Sequence, residues 1–130
     1  DYAGTMEITR RFWDAAKALD PAAAALDEGA RFPMCAPAPL PALFRDAGLA
    51  EIGTFAIDVP TVFRDFDDYW SPFRGGQGPA PGYAVSRAEE RRDELRERIR
   101  AGMPVSPDGS IRLAPSSGTP SSFCRPRSGG

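Results

Sequence analysis

The chain has 130 residues, 42% of them hydrophobic, and this length suits one domain with a single modest core. Its 14 prolines and 13 glycines make up about a fifth of the residues, below the roughly 25–30% typical of low-complexity disorder, so we expect the chain to fold at least in part. The absence of histidine excludes Ser-His-Asp and Cys-His catalytic groups and histidine-ligated zinc. Cys35 and Cys124 match neither a zinc motif nor a disulfide framework.

Charge and hydropathy restrict the expected partners. The net charge is −2, and acidic and basic residues are mixed along the chain. We therefore expect no nucleic-acid partner and no attraction to an anionic membrane. No apolar run approaches the roughly 18 residues of a membrane span, and no signal-peptide pattern is visible, so the predicted location is cytoplasmic.

The first predicted element is an amphipathic helix over residues 5–19, whose apolar side chains recur at a period of 3.6 residues. Asp20 and Pro21 then suit the N-cap and first-turn positions of a short helix that Gly29 can end. In the proline-rich loop that follows, Cys35 is expected to be a small buried hydrophobic side chain, because nothing nearby would activate its thiol.

A second helix and a strand are predicted next. The helix covers residues 40–49, and Gly48 suits its left-handed C-terminal position. Residues 51–59 alternate as a strand does, with apolar side chains on both faces. This pattern predicts a strand inside a sheet rather than one at its edge.

An aromatic segment follows Pro60, and Asp65 can cap a short helix within it. Two interpretations remain open: the rings form ordinary core, or they line an apolar substrate pocket. The neighbouring aspartates lack the ligand spacing of a calcium loop, and we predict no metal site. The aromatic residues of the segment are Phe63, Phe66, Tyr69, Trp70 and Phe73.

The glycine-rich segment 75–82 predicts a mobile loop. Ser86 and Glu89 match a capping box, which opens a predicted helix to about Ala101. The apolar stripe of this helix consists of Ala88, Leu95 and Ile99.

The last predicted element is a strand that begins at residues 110–114, after a Pro-Asp-Gly turn. Residues 115–130 are mostly serine, proline, glycine and arginine, and they predict a disordered tail. No constellation of catalytic side chains emerges from the chain.

Three segments together resemble a known family. Residues 1–6 and the Phe12-Trp13 helix are similar to the segment after the fifth strand of that family. Residues 40–59 are similar to its helix, Ala-Gly turn and sixth strand, and residues 59–73 resemble an insertion between strands six and seven of a bacterial subgroup. The family is that of the class I S-adenosylmethionine-dependent methyltransferases, in its ubiquinone/menaquinone-biosynthesis-like group.

The resemblance implies an α/β fold: an incomplete class I methyltransferase (Rossmann-like) fold, mostly helical, with strands six and seven only. Residues 1–114 would form the C-terminal half of the domain, with 60–109 as a helical, lid-like insertion. The glycine-rich loop and the acidic residue that hold the cofactor in the family have no counterpart here. S-adenosylmethionine is therefore expected to bind the complete enzyme and not this chain alone.

The activity implied by the resemblance is methyl transfer to a small-molecule acceptor. Such a reaction depends mainly on aligning acceptor, methyl group and sulfur, so it needs no histidine. Tyr2, Phe63, Tyr69 and Trp70 are the residues expected to contact the acceptor, as walls rather than as acids or bases. The alternative is a non-catalytic helical module that binds a ligand or a protein through the same aromatic cluster.

Overall fold

The computed structural model describes residues 6–36, 38–56, 59–113 and 120–126. Within these ranges the chain is mostly helical and has two small antiparallel sheets, which confirms the mixed α/β class. The α-helices are α1 (Glu7–Leu19), α2 (Glu28–Arg31), α3 (Pro39–Asp46), α4 (Phe66–Trp70), α5 (Pro79–Ser86) and α6 (Glu89–Ala101). The strands are β1 (Leu49–Ala56), β2 (Thr61–Phe63), β3 (Ile111–Leu113) and β4 (Pro120–Pro126). Short 3₁₀ helices span Pro21–Leu26, Pro33–Cys35 and Ser71–Arg74.

Each sheet is a single pair of strands. β1 pairs with β4, and β2 pairs with β3, with Phe63 opposite Ile111. The register of β1 shifts between Ala50 and Gly53, and Glu51 within this irregularity has a left-handed φ of 52°. The prediction that β1 lies inside a sheet is therefore wrong: among the described residues β4 is its one strand neighbour, despite the apolar residues on both faces. The strand at 111–113 pairs with β2, which the sequence did not predict, and not with β1.

One aromatic core joins α1, the 3₁₀ helices Pro21–Leu26 and Ser71–Arg74, α4, α5, α6 and the β2–β3 pair, and we call this set the aromatic unit. Its largest fully buried side chains are Trp13, Tyr69, Phe12, Leu95 and Ile111. We call α3, β1 and β4 the strand unit. No side chain of α3 is buried, and none of those described in β1 is buried.

The start of the chain follows the predicted pattern with one correction. α1 buries Phe12 and Trp13, and the side chain of Asp20 accepts a hydrogen bond from the backbone N–H of Ala22, as an N-cap does. Gly29 does not end the next helix, because Asp27 accepts a hydrogen bond from the Gly29 N–H and thereby caps α2. The Asp27 cap thus begins a new helix, α2, at the position where Gly29 was predicted to end the preceding helix.

Two predictions around α5 are wrong. α5 begins at Pro79, inside the segment predicted to be a mobile loop, because proline is well suited to the first turn of a helix. Ser86 is the last residue of α5, and its hydroxyl donates to the carbonyl of Tyr83, so no capping box opens α6. Leu95 and Ile99 are buried as predicted, whereas Ala88 is exposed.

The tail also differs from its predicted disorder. Residues 120–126 form β4 along β1. Strand pairing uses backbone N–H and C=O groups, so it needs no apolar period in the sequence, and the open edge of β1 supplies the template. The rest of the tail, and the side chain of Cys35, lie outside the described residues.

Candidate functional site

The predicted acceptor-contacting residues occupy different depths. Phe63 on β2 is half-buried, whereas Tyr69 and Trp70 on α4 are buried; Tyr2 lies outside the described residues. The Tyr69 hydroxyl donates to the carbonyl of Ile8 at 2.8 Å, and burial raises the pKa of Tyr69. The ring of Phe63 meets Tyr69 edge-on at 5.3 Å. For these two residues the geometry favours the core interpretation over a pocket wall.

The rings of the core pack mainly on one another. Phe12 stacks on Phe73 at 4.8 Å between ring centroids and meets the edge of Trp13 at 5.3 Å. Trp70 lies 5.6 Å from Phe73 and 6.4 Å from Phe12. Ring pairs at these separations contribute about 0.5–1.5 kcal/mol each beyond the burial of their area. The aromatic cluster is therefore first of all a stabilising core.

The acidic residues before Trp70 position α4. Asp65 caps the helix by accepting a hydrogen bond from the Asp68 N–H at 2.8 Å, as predicted. Asp68 in turn accepts hydrogen bonds from the backbone and guanidinium of Arg64, which lower the pKa of Asp68. These aspartates thus fix the start of the helix that carries Tyr69 and Trp70.

Trp70 lines a surface cavity. This cleft, which we call the Trp70 cleft, has a volume of about 370 Å³ and lies between α4 and α6. Its lining combines one aromatic ring with three arginines and two aspartates: Asp67, Trp70, Arg74, Arg92, Asp93 and Arg96. The sequence did not predict these arginines, because only the fold brings α6, which carries Arg92 and Arg96, next to Arg74 and Trp70.

The three arginines of the cleft are held differently. Arg96 binds Asp67 at 2.6 Å and lies 5.3 Å from the ring centroid of Phe66. Arg92 donates to the carbonyls of Ala84 and Arg87. Arg74 is exposed and has no hydrogen bond or ion pair with the residues that the structure describes.

A second cavity, the Tyr83 groove, has a volume of about 330 Å³. Its cations are already engaged: the Arg87 guanidinium lies 4.5 Å from the Tyr83 ring centroid and 3.5 Å from Asp20, and Arg91 binds Glu94 at 2.8 Å. Burial and the nearby Asp20 carboxylate raise the pKa of Tyr83. The groove is lined by Leu19, Asp20, Pro21, Tyr83, Arg87, Arg91 and Leu95.

One buried acid was missed by the sequence analysis. Asp27 receives two hydrogen bonds from the Arg10 guanidinium, at 2.5 and 3.4 Å, and one from Lys17 at 3.1 Å. Burial alone would raise the pKa of Asp27, but the hydrogen bonds from Arg10, Lys17 and the Gly29 N–H lower it. The carboxylate faces α1 rather than a cavity, so its role is to hold α2 against α1.

S-adenosylmethionine has no recognisable cradle among the described residues. In the described ranges, no strand leads through a glycine-rich turn into a helix, the arrangement that would cradle the cofactor. Among the described residues there is no group of three or more acidic or cysteine side chains placed to hold a metal ion. In the same ranges, no helix has the length and apolar character required to cross a membrane.

Comparisons of the chain with protein families, with curated proteins and with solved structures find no match.

Proposed function

We propose that this chain is the C-terminal part of an S-adenosylmethionine-dependent methyltransferase that acts on a small-molecule acceptor, and that it contributes to the acceptor side of the site. The observation that carries the proposal is the structure of the segment 59–73. This segment, which resembles the family's insertion most specifically, forms β2 and the capped helix α4 and presents Trp70 to a cleft.

The chemistry required on the acceptor side is positioning. A methyl transfer gains most of its rate from a fixed alignment of the reacting atoms, which a rigid wall supplies. Trp70 provides such a wall because its ring is held by Phe12 and Phe73. Tyr69 and Phe63 act behind it as positioning residues, since the bond from Tyr69 to Ile8 ties α4 to α1.

The second candidate function is a non-catalytic ligand-binding or protein-interaction module. It is favoured by the self-contained packing of the aromatic unit, which buries its own rings without a side chain from α3. Both candidates allow a ligand in the Trp70 cleft. They differ in whether a complete protein that contains this chain binds S-adenosylmethionine.

The test compares two proteins by calorimetric titration with S-adenosylmethionine: the 130-residue chain, and the same chain extended by the coding sequence upstream of Asp1. We expect micromolar binding to the extended protein and no heat up to millimolar cofactor with the chain alone. Micromolar binding to the chain alone would contradict the proposal that this chain supplies the acceptor side of the site and not the cofactor side. An extended protein that folds and does not bind would favour the module.

A further inference from the structure

We infer that the Trp70 cleft is an anion site that takes a small molecule carrying a carboxylate. The inference rests on the proposed function only in identifying this molecule as the methyl acceptor. Binding itself is a property of the described residues, and it can be measured without the cofactor.

Arg92 is the preorganised cation of the cleft. Its Nε donates to the carbonyl of Ala84 at 3.3 Å, and one terminal nitrogen donates to the carbonyl of Arg87 at 3.1 Å. These carbonyls lie at the C-terminal end of α5, where the helix dipole favours a positive charge. A guanidinium has five N–H donors, and the other terminal nitrogen makes no hydrogen bond within the described ranges. Arg92 therefore offers fixed donors to a ligand and needs little ordering to bind one.

Arg74 is the exposed cation of the cleft. It lies at the end of the 3₁₀ helix Ser71–Arg74, on the same cleft as Arg92, and its side chain is exposed. Because no described carboxylate pairs with it, a ligand anion gains this charge without displacing an ion pair. Two guanidiniums on one anion give charge-assisted hydrogen bonds, which are about twice as strong as neutral ones.

The remaining charges select among anions. Arg96 is occupied by Asp67 and Glu97, so this group adds little attraction for a ligand. Asp93 is exposed on the cleft and has no ion pair in the described part of the chain. Its negative charge opposes a second charge on the ligand, which favours a carboxylate over a phosphate dianion. Trp70 is 5% exposed, so its ring borders the cleft without offering a face on which a ligand could stack.

The Tyr83 groove does not offer the same chemistry. Arg87 is shared between Asp20 and the Tyr83 ring, and Arg91 binds Glu94. An anion there would have to compete with existing partners for both cations. The Trp70 cleft is therefore the stronger anion site although the two cavities are similar in size.

The experiment titrates the 130-residue chain with benzoate, phenyl phosphate and the neutral benzamide, and follows tryptophan fluorescence. Trp70 lines the cleft and is 5% exposed, whereas Trp13 is 1% exposed and its indole N–H is bound to Glu28. A saturable change that Arg74→Gln weakens therefore reports on the cleft beside Trp70. We expect benzoate to bind with a dissociation constant on the order of 1 mM. Phenyl phosphate should bind more weakly, and benzamide at least ten-fold more weakly than benzoate.

Arg74→Gln is the main variant because the side chain is exposed and its loss should not affect folding. It should weaken benzoate binding about ten-fold, while Arg98→Gln, which removes the same charge from another face of α6, should change it less than two-fold. Far-ultraviolet circular dichroism and the thermal midpoint confirm that both variants fold.

Three results would overturn the inference: no saturable response to benzoate, equal binding of benzamide, or unchanged binding in Arg74→Gln. Tighter binding of phenyl phosphate than of benzoate would overturn the preference for a carboxylate. None of these results bears on the cofactor titration of the extended protein, so failure of the anion site and failure of the proposed methyltransferase are distinguishable.

Discussion

The aromatic unit and the strand unit are stabilised by different interactions. The aromatic unit buries two tryptophans, two tyrosines and three phenylalanines among its helices. In the strand unit α3 is amphipathic but buries no side chain, and its Leu43 is 52% exposed. β1 gains its partner β4 through backbone hydrogen bonds. One region therefore holds its shape by side-chain packing, and the other by strand pairing.

This difference bears on the proposed function. A methyltransferase of the proposed kind would place α3 and β1 against a larger sheet, which would cover the apolar face of α3. The aromatic unit would already be formed before that sheet is supplied. We therefore expect the two units to respond differently to the same type of substitution.

The largest effect is expected in the aromatic unit. Phe12→Ala removes a ring that lies within 6.4 Å of Trp13, Phe73, Trp70 and Tyr83, and leaves a cavity in the core. It should lower the free energy of unfolding by about 3–5 kcal/mol, measured by urea denaturation. Leu43→Ala on α3 should cost less than about 0.5 kcal/mol. A similar loss of unfolding free energy in both variants would contradict the difference between the aromatic unit and the strand unit. If Phe12→Ala does not fold, Phe12→Leu provides a milder change at the same position.

Much of the aromatic unit could be predicted from the sequence because its signals are local. The period of α1 and the caps Asp20 and Asp65 require only residues close in the chain. The β2–β3 pair could not be predicted, since Phe63 and Ile111 are far apart in the sequence and their pairing leaves no local signal. The start of α6 was misassigned because the hydroxyl of Ser86 binds backward to its own helix.

The candidate site was predictable only in part for the same reason. The sequence identified Trp70 as a wall, and the structure places it on a cleft. It could not separate Trp70 from Tyr69, whose burial depends on the contact with Ile8, 61 positions away. Arg74 and Arg92 were not predicted at all, because a charge on a helix surface carries no sign of which cavity it will line.

The next largest loss of stability is expected when the ion pairs that join α1 to α2 are removed. Asp27→Asn should lower the free energy of unfolding by about 1–3 kcal/mol at pH 7, since Asp27 is buried while Arg10 and Lys17 are partly exposed. The pKa of Asp27 is lower in the folded state than its usual value near 3.9. Its stabilisation is therefore present above about pH 4 and is lost as the pH falls through the folded pKa.

Urea denaturation of both proteins between pH 7 and pH 3 checks this prediction. The difference between wild type and Asp27→Asn should shrink as the pH falls below about 4. A difference that stays constant over this range would show that the carboxylate charge contributes nothing. Asp14→Asn is the control, because Asp14 contacts the same two cations but is mostly exposed.

A smaller loss of stability is expected when either of two glycines with the same backbone conformation is replaced by alanine. Gly48 follows α3 and Gly109 precedes β3; both have a φ of +83°, and a Cβ at either would meet nothing within 4 Å. Alanine should therefore cost only the backbone strain, about 1 kcal/mol at each position. Gly109→Ala should lower the tryptophan-monitored midpoint, and Gly48→Ala should leave it unchanged. Equal shifts would mean that the two units unfold together.

The smallest expected effect is on the aromatic unit when the tail is removed. Truncation after Ala114 deletes β4, which pairs with β1. Both tryptophans, Trp13 and Trp70, belong to the aromatic unit, so their fluorescence midpoint in urea should not change. Backbone amides of β1 should exchange with solvent faster, because their strand partner is gone. Truncation after Pro126 keeps β4 and serves as the control. A lower tryptophan midpoint in the shorter chain alone would show that the strand pair supports the aromatic core, and the two units would then have to be treated as one.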